Sequence, residues 1–298
     1  MPSYTFVSTA NAFVSRGGKP VFVDIRKDNF NINEKLIEKS ITKKTKAIVV
    51  VHYAGVPCDM DKIIKISRKY NLFLIEDAAQ AIFSKYKNKY CGTFGDIGCL
   101  SFHETKNITS CEGGAIILNK KIFDRKASII CNKGTDREYF NKSLKKYYSW
   151  KGLGSSYIPS EITCAILYSQ LINYKKIIDQ RKKIWMKYYF FFKNLKSKLL
   201  EERKYEYKLK NINVNYHMFF LVCKSLRARK KILSGLKKDK IYSTFHYVPL
   251  HKSEFGSKFY KKKLINTEKL SKKIIRLPFW IGMNQNLILK KLKKVLND

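Results

Sequence analysis

No apolar run in this 298-residue sequence approaches the roughly 20 residues that a helix needs to cross a bilayer. A membrane-spanning helix is therefore not expected. The opening Met-Pro-Ser-Tyr-Thr-Phe has no basic stretch ahead of an apolar one, so it does not read as a secretory leader. C-x-x-C pairs are missing as well. The seven cysteines (Cys58, Cys91, Cys99, Cys111, Cys131, Cys164, Cys223) are odd in number, which supports neither a disulfide framework nor a zinc site. A soluble, cytoplasmic protein without a metal is the expectation. Acidic residues are scarce, 23 against 61 Lys and Arg, and the net charge is +38. Such a balance usually points to a polyanion. Here the basic residues are spread from end to end, with Lys62, Lys65, Arg68 and Lys69 on one exposed helical face, and no finger, homeodomain or RNP pattern accompanies them. Lys, Ile, Asn, Tyr and Phe are abundant together, which reads as compositional drift, and nucleic acid is not the expected partner.

What is present can fold. A hydrophobic content of 45%, with 14% aromatic, is enough for a sizeable core. Short β-branched and apolar runs recur at Val21–Ile25, Ala47–Tyr53, Leu72–Ile75, Gly98–Phe102 and Ala115–Leu118, with helical patterns such as Asp61–Lys69 between some of them. This alternation predicts a largely parallel sheet covered by helices. From Ser160 to about Leu195 one long helical pattern links two domains. Beyond it lie a strand at His217–Val222, a helix opening at Ser225, a strand near Tyr242–Tyr247 and a closing helix from Asn284, whose Ile288, Leu292 and Val295 share one face. The division predicted is a large α/β domain over residues 1–175 and a smaller α+β domain over 176–298.

Two segments carry chemistry. Glu76-Asp77-Ala78-Ala79-Gln80 follows directly on Leu72–Ile75, placing Asp77 at the carboxyl end of a buried strand, where open α/β sheets bind ligands. Its carboxylate suits a cation, a ribose hydroxyl or a protonated ring nitrogen, or simply the cap of the next helix. Ser101-Phe102-His103-Glu104-Thr105-Lys106 follows another strand and precedes Glu112-Gly113-Gly114. A lysine held between a strand end and a glycine turn is unlike the solvated lysines elsewhere.

Together with Pro2-Ser3-Tyr4-Thr5-Phe6-Val7, Gly154-Ser155-Ser156-Tyr157 and His246-Tyr247-Val248-Pro249-Leu250-His251, these segments resemble the DegT/DnrJ/EryC1/StrS aminotransferase family in order and spacing, across essentially the whole chain. The resemblance implies a fold type I enzyme dependent on pyridoxal 5'-phosphate, with Lys106 as the lysine that holds the cofactor and moves the proton. A free lysine amine is almost wholly protonated at neutral pH, so such a role asks for a lowered pKa. By the same resemblance Asp77 pairs with the pyridine nitrogen, Gln80 lies at the ring's oxygen edge, Phe6 at its face, and Ser101 at its phosphate. Ser156 falls where many members have an asparagine reaching the phosphate of the neighbouring subunit, which implies a homodimer with shared sites. His52, Tyr53, His103, Tyr157, His246 and His251 are candidates for the sugar-nucleotide pocket, the alternative for each being a place in the core or a turn. Arg276 is a further candidate. The implied reaction moves an amino group from glutamate to the 4-keto carbon of a dTDP-linked 6-deoxyhexose, for envelope polysaccharide synthesis.

The resemblance also has gaps. Met1 aligns with an interior position of the family, and the Ser/Thr-rich loop that cradles the cofactor phosphate has no counterpart in the sequence, so weak cofactor binding is expected. Cys111 stands where the family has a glycine, whose backbone angles a residue with a Cβ does not readily reach. A catalytically impaired remnant is one alternative. A dehydratase of the same family is another, against which Lys106 argues, because that chemistry dispenses with the lysine.

Overall fold

A computed structural model describes residues 1–144, 146–202 and 212–297. In chain order the first half forms α1 (Val7–Val14), β1 (Ala47–Val51), α2 (Met60–Lys69), β2 (Phe73–Asp77), the short β3 (Lys85–Tyr86) and β4 (Lys89–Tyr90), β5 (Ile97–Ser101) and β6 (Gly114–Leu118). The run Ala-Ile-Val-Val-Val makes β1 a strand by β-branching, and four of its five residues are buried. Asp59 caps α2 by accepting the Lys62 N–H. Met60 and Ile63 of α2 face the core while Lys62, Lys65, Arg68 and Lys69 face solvent.

The main sheet has the order β1-β2-β5-β6. The β1/β2 and β2/β5 pairs are parallel and β5/β6 is antiparallel. Because the parallel register sets Val51 beside Asp77 and Asp77 beside Cys99, the carboxyl ends of three strands share one edge. Whatever follows those strands, including His52, Ala78–Gln80 and Phe102–Lys106, is gathered at that edge.

The chain continues through α3 (Asp124–Cys131), α4 (Arg137–Asn141), α5 (Glu161–Ile172), α6 (Tyr174–Lys193), β7 (Ile212–Asn213), β8 (Phe220–Val222), α7 (Leu226–Lys238), α8 (Ile265–Ser271), β9 (Ile274–Arg276) and α9 (Gln285–Asn297). Trp185, Tyr188 and Phe192 of α6 pack with Ile232 and Leu236 of α7 and with Ile288, Leu292 and Val295 of α9 in one apolar cluster. A second cluster joins Ile48, Val50, Met60, Ile63 and Leu74 around the sheet. A third ties the two halves together, with Tyr4, Phe30 and Tyr53 against Phe220, Val222 and Ile274. Each large apolar side chain so buried contributes about 1.5–3 kcal/mol. Asn215 adds a polar tie, donating from Nδ2 to the carbonyls of Gln80 and Ile82, each at 2.9 Å. Gly55 lies at the same junction with φ +80°, and a Cβ there would meet the Asn215 side chain at 1.9 Å.

Five expectations need correction. The long helix predicted from Ser160 is two helices, α5 and α6, parted at Asn173, whose Nδ2 donates to the Ser169 carbonyl. Val21–Ile25 and Tyr242–Tyr247 are extended but make only isolated bridges, at Val23, Ile25 and Thr244, because no partner runs beside them for their full length. The strand expected over His217–Val222 is confined to Phe220–Val222. Cys111 does adopt a left-handed backbone, φ 69°, at a cost of about 1–2 kcal/mol for a residue with a Cβ.

Candidate functional site

Strand pleating turns Glu76 and Asp77 to opposite sides of β2. Glu76 is fully buried, accepting from His52 Nε2 at 2.9 Å and from the N–H groups of Gly92, Phe94 and Gly95 at 2.8, 2.6 and 2.6 Å. Burial alone would raise its pKa, but these hydrogen bonds outweigh that and hold the carboxyl below its ordinary 4.5. Its contribution to stability is therefore complete above about pH 4.5 and is lost as pH falls through the depressed folded-state value. Glu76→Gln, which sets an amide NH2 against donors, is expected to cost about 2–4 kcal/mol. It should also flatten this part of the acid dependence. Urea unfolding between pH 3 and 7 checks both points.

Asp77 faces the other way, toward the open edge. Its Oδ2 accepts the Thr9 hydroxyl at 2.6 Å and its Oδ1 accepts the Ala79 N–H at 3.1 Å, so the carboxylate is oriented by α1 and by the turn that follows β2. Lys106 lies within electrostatic reach of it. Burial pushes the Lys106 amine below its ordinary value, Asp77 opposes the shift and Arg276 adds to it. The amine has no hydrogen bond or ion pair among the described residues. Its main-chain N–H is fixed on the His103 carbonyl at 2.9 Å, which holds the turn between β5 and β6.

Gln80 is buried and bifunctional. Its Oε1 accepts the Ala54 N–H at 2.7 Å, and its Nε2 donates to the Tyr247 hydroxyl at 2.9 Å. The Tyr247 ring stacks on His246, with centroids 4.1 Å apart and planes 10° from parallel. His246 Nε2 in turn accepts from Arg276 Nη1. Burial, with Arg276 and Lys106 adding to it, lowers the His246 pKa to about 2, so the ring is neutral. Tyr53 is buried beside this chain, its hydroxyl 3.4 Å from His246 Nδ1.

Asp77, Gln80, Lys106, Tyr53, His246 and Arg276 thus come together. Ser101 ends β5 at the same edge, its hydroxyl 3.4 Å from the His103 N–H, and Phe6 caps the start of α1, largely exposed and 6.4 Å from the Tyr247 ring centroid. His103 is half exposed and bonds to Thr105 at 3.0 Å. Ser156 and Tyr157 lie on an exposed segment that bridges Asn132 and make no contact with Lys106 or Asp77 among the described residues.

Two of the pocket candidates are engaged within the protein. His52 accepts the Cys58 N–H on Nδ1 and meets Glu76 through Nε2, so neither nitrogen is left for a substrate. His251 lies between Ser3 Oγ at 2.7 Å and Glu268 at 3.1 Å and serves as an internal tie. Thr9, Tyr247, His217 and Asn107 were missed. His217 Nδ1 and Asn107 Oδ1 are 2.9 Å apart, beside Lys106. Nothing local marks Thr9 or His217, whereas Tyr247 stood within a motif already singled out.

Pyridoxal phosphate fits what is present. A shielded, unpartnered amine with a lowered pKa stands near a strand-end carboxylate that two donors orient, on a mostly parallel sheet. Fold and site together define the class of fold type I pyridoxal-phosphate-dependent aminotransferases. Residues 1–295 match the DegT/DnrJ/EryC1/StrS aminotransferase family, and the chain belongs to that family of pyridoxal-phosphate-dependent sugar aminotransferases. An uncharacterized protein of Methanocaldococcus jannaschii is 36% identical over 99% of this chain and 78% of its own length. GDP-perosamine synthase of Escherichia coli O157:H7 is 32% identical over 97% of this chain and 75% of its own. Among solved structures, Helicobacter pylori PseC, an aminotransferase involved in the biosynthesis of pseudoaminic acid, superimposes with a TM-score of 0.89 at 28% identity, covering 99% of this chain and 78% of that one.

Proposed function

We propose that this protein transfers an amino group from glutamate to the 4-keto carbon of a nucleotide-linked 6-deoxyhexose, with dTDP as the nucleotide. The observation that carries the amino-transfer part is the Lys106 amine, shielded and unpartnered near Asp77. The choice of sugar rests on the motif resemblance.

In this reading Lys106 would hold the cofactor and would carry the proton at the substrate carbon. Its lowered pKa suits both tasks, because the neutral amine is the form that attacks a carbonyl and accepts a proton. Asp77 would pair with the ring nitrogen and keep it protonated, while Thr9 and the Ala79 N–H fix the carboxylate's orientation. Gln80 would lie at the ring's oxygen edge, Phe6 at its face and Ser101 at its phosphate. When bound, pyridoxal phosphate supplies an electron sink for the pair left as a proton departs the substrate carbon. Tyr53, His103, Tyr157 and His246 remain candidates for the sugar-nucleotide side of the pocket. The domain division near residue 175 is supported by the helix break at Asn173.

A homodimer with shared sites belongs to the same reading. It is supported by the apolar side chains left exposed on α5 and the segment before it, among them Leu153, Tyr157, Ile158, Ile162, Tyr168 and Ile172. Light scattering that finds only monomer would contradict it. The reaction is tested by supplying pyridoxal phosphate, L-glutamate and 4-keto-6-deoxyhexoses linked to dTDP, UDP or GDP, and detecting amino sugar by mass spectrometry. The expected result is preference for dTDP. Amino transfer to another nucleotide sugar alone would overturn the substrate, and no transfer to any would overturn the function.

A further inference from the structure

Asn107 follows Lys106 directly, and its side-chain amide is held at both ends. Nδ2 donates to the Asn215 carbonyl at 2.7 Å, and Oδ1 lies 2.9 Å from His217 Nδ1. A carbonyl only accepts, so the first bond fixes which end of the amide is the NH2. Oδ1 must then accept as well, which puts the His217 ring proton on Nδ1 and leaves Nε2 bare. Asn107 and His217 are both buried. Burial pushes the His217 pKa well down, with Lys106, Arg181, Arg276 and His246 adding to it, so the ring is neutral and carries that one proton.

The segment that presents His217 is itself fixed. Asn215 donates its main-chain N–H to Ser84 Oγ at 3.1 Å and its Nδ2 to the carbonyls of Gln80 and Ile82. Tyr216 has φ 52°, a left-handed backbone that a bulky residue rarely adopts. Arg181 braces the turn, donating from Nε to the Tyr216 carbonyl at 3.2 Å and from Nη2 to that of His217 at 2.5 Å. Strain of this kind persists where the surroundings over-determine it, and it gathers at functional sites. Here the strained turn brings one ring nitrogen to the residue next to Lys106. The lysine's turn is thereby held from both sides, by the His103 carbonyl on the Lys106 N–H at 2.9 Å and by His217 on Asn107.

We propose that His217 is a positioning residue for Lys106, its Nδ1–H locking the Asn107 amide so that the neighbouring lysine projects into the shielded site near Asp77; the inference rests on the aminotransferase reading above. The Lys106 amine has no hydrogen bond or ion pair among the described residues, so its place is set by the main chain at residues 106 and 107 rather than by a partner at the tip. Placement matters, because a misplacement of about 1 Å at a reacting group costs on the order of a hundredfold in rate. A direct contact of Nε2 with substrate is the rival role, and it asks for the other ring nitrogen.

His217→Asn, His217→Gln and His217→Leu separate the two. Asn sets an amide N–H where Nδ1 stood, Gln sets its amide where Nε2 stood, and Leu offers no donor. In protein free of cofactor, Lys106 is acylated with trace acetic anhydride at a series of pH values and its peptide quantified, which gives the midpoint of the amine's titration. Asp77 on β2 and Arg276 on β9 are the charged groups acting on that amine, and no variant alters them. The native midpoint is expected below the ordinary 10.5. His217→Gln and His217→Leu should move it up toward that value, as the amine swings out of its shielded place into water, and should lower kcat for amino transfer roughly ten- to a hundredfold with KM little changed. His217→Asn should restore most of both. If circular dichroism finds His217→Leu unfolded, the contrast between Asn and Gln carries the test. A native midpoint in His217→Gln would overturn the assignment, and so would a His217→Asn variant as impaired as His217→Gln. Failure of the broader reading looks different: the midpoint would follow the series while the native protein aminates no keto sugar.

Discussion

Lys106→Ala is expected to lower amino transfer by roughly 10⁴-fold, the upper end of what a positioned proton carrier contributes, while leaving the fold intact. The amine makes no hydrogen bond or ion pair among the described residues, so its removal breaks no internal contact. Taking away a partly buried cation from a site that already holds Arg181 and Arg276 should, if anything, relieve repulsion. Steady-state rates beside a urea titration check the two halves of this expectation. A variant that loses stability in step with activity would make Lys106 a structural residue.

Asp77→Asn should lower turnover by roughly 10²–10³-fold, the scale of losing one preorganised electrostatic partner at a reacting group. The amide keeps an acceptor for the Ala79 N–H and gives up the charge. On the other side of the same strand, Glu76→Gln should do the reverse, costing stability by disturbing four donors while leaving the chemistry in place. Neighbouring acids on β2 are thus expected to separate function from folding. Comparable turnover losses in the two variants would contradict the assignment.

The strands around the site were legible because continuous β-branched runs bounded by turns admit little else, and Ala47–Val51 and Phe73–Asp77 lie close to where those runs placed them. The extended segment at Thr244 was less so, since whether it counts as a strand depends on how far a partner runs beside it. Lys106 and Asp77 could be singled out because their strand ends and turns are local features, and a family resemblance gave them roles. The histidines could not be sorted in this way. His52 lies within an apolar run and His246 and His251 in a motif segment, but their partners are distant in sequence: Glu76 for the first, Arg276 for the second, Ser3 and Glu268 for the third. Arg276 could be named as a candidate but not given a role, because an arginine in a short apolar strand reads the same whether its guanidinium is solvated or held against a buried histidine.

Borohydride reduction of the protein after incubation with pyridoxal phosphate, followed by peptide mapping, tests the central assignment most directly, since a surface lysine and a site lysine then yield different labelled peptides. The expected label is on the peptide containing Lys106, absent from Lys106→Ala. Labelling that is spread over surface lysines, or that persists at another lysine in Lys106→Ala, would contradict the account.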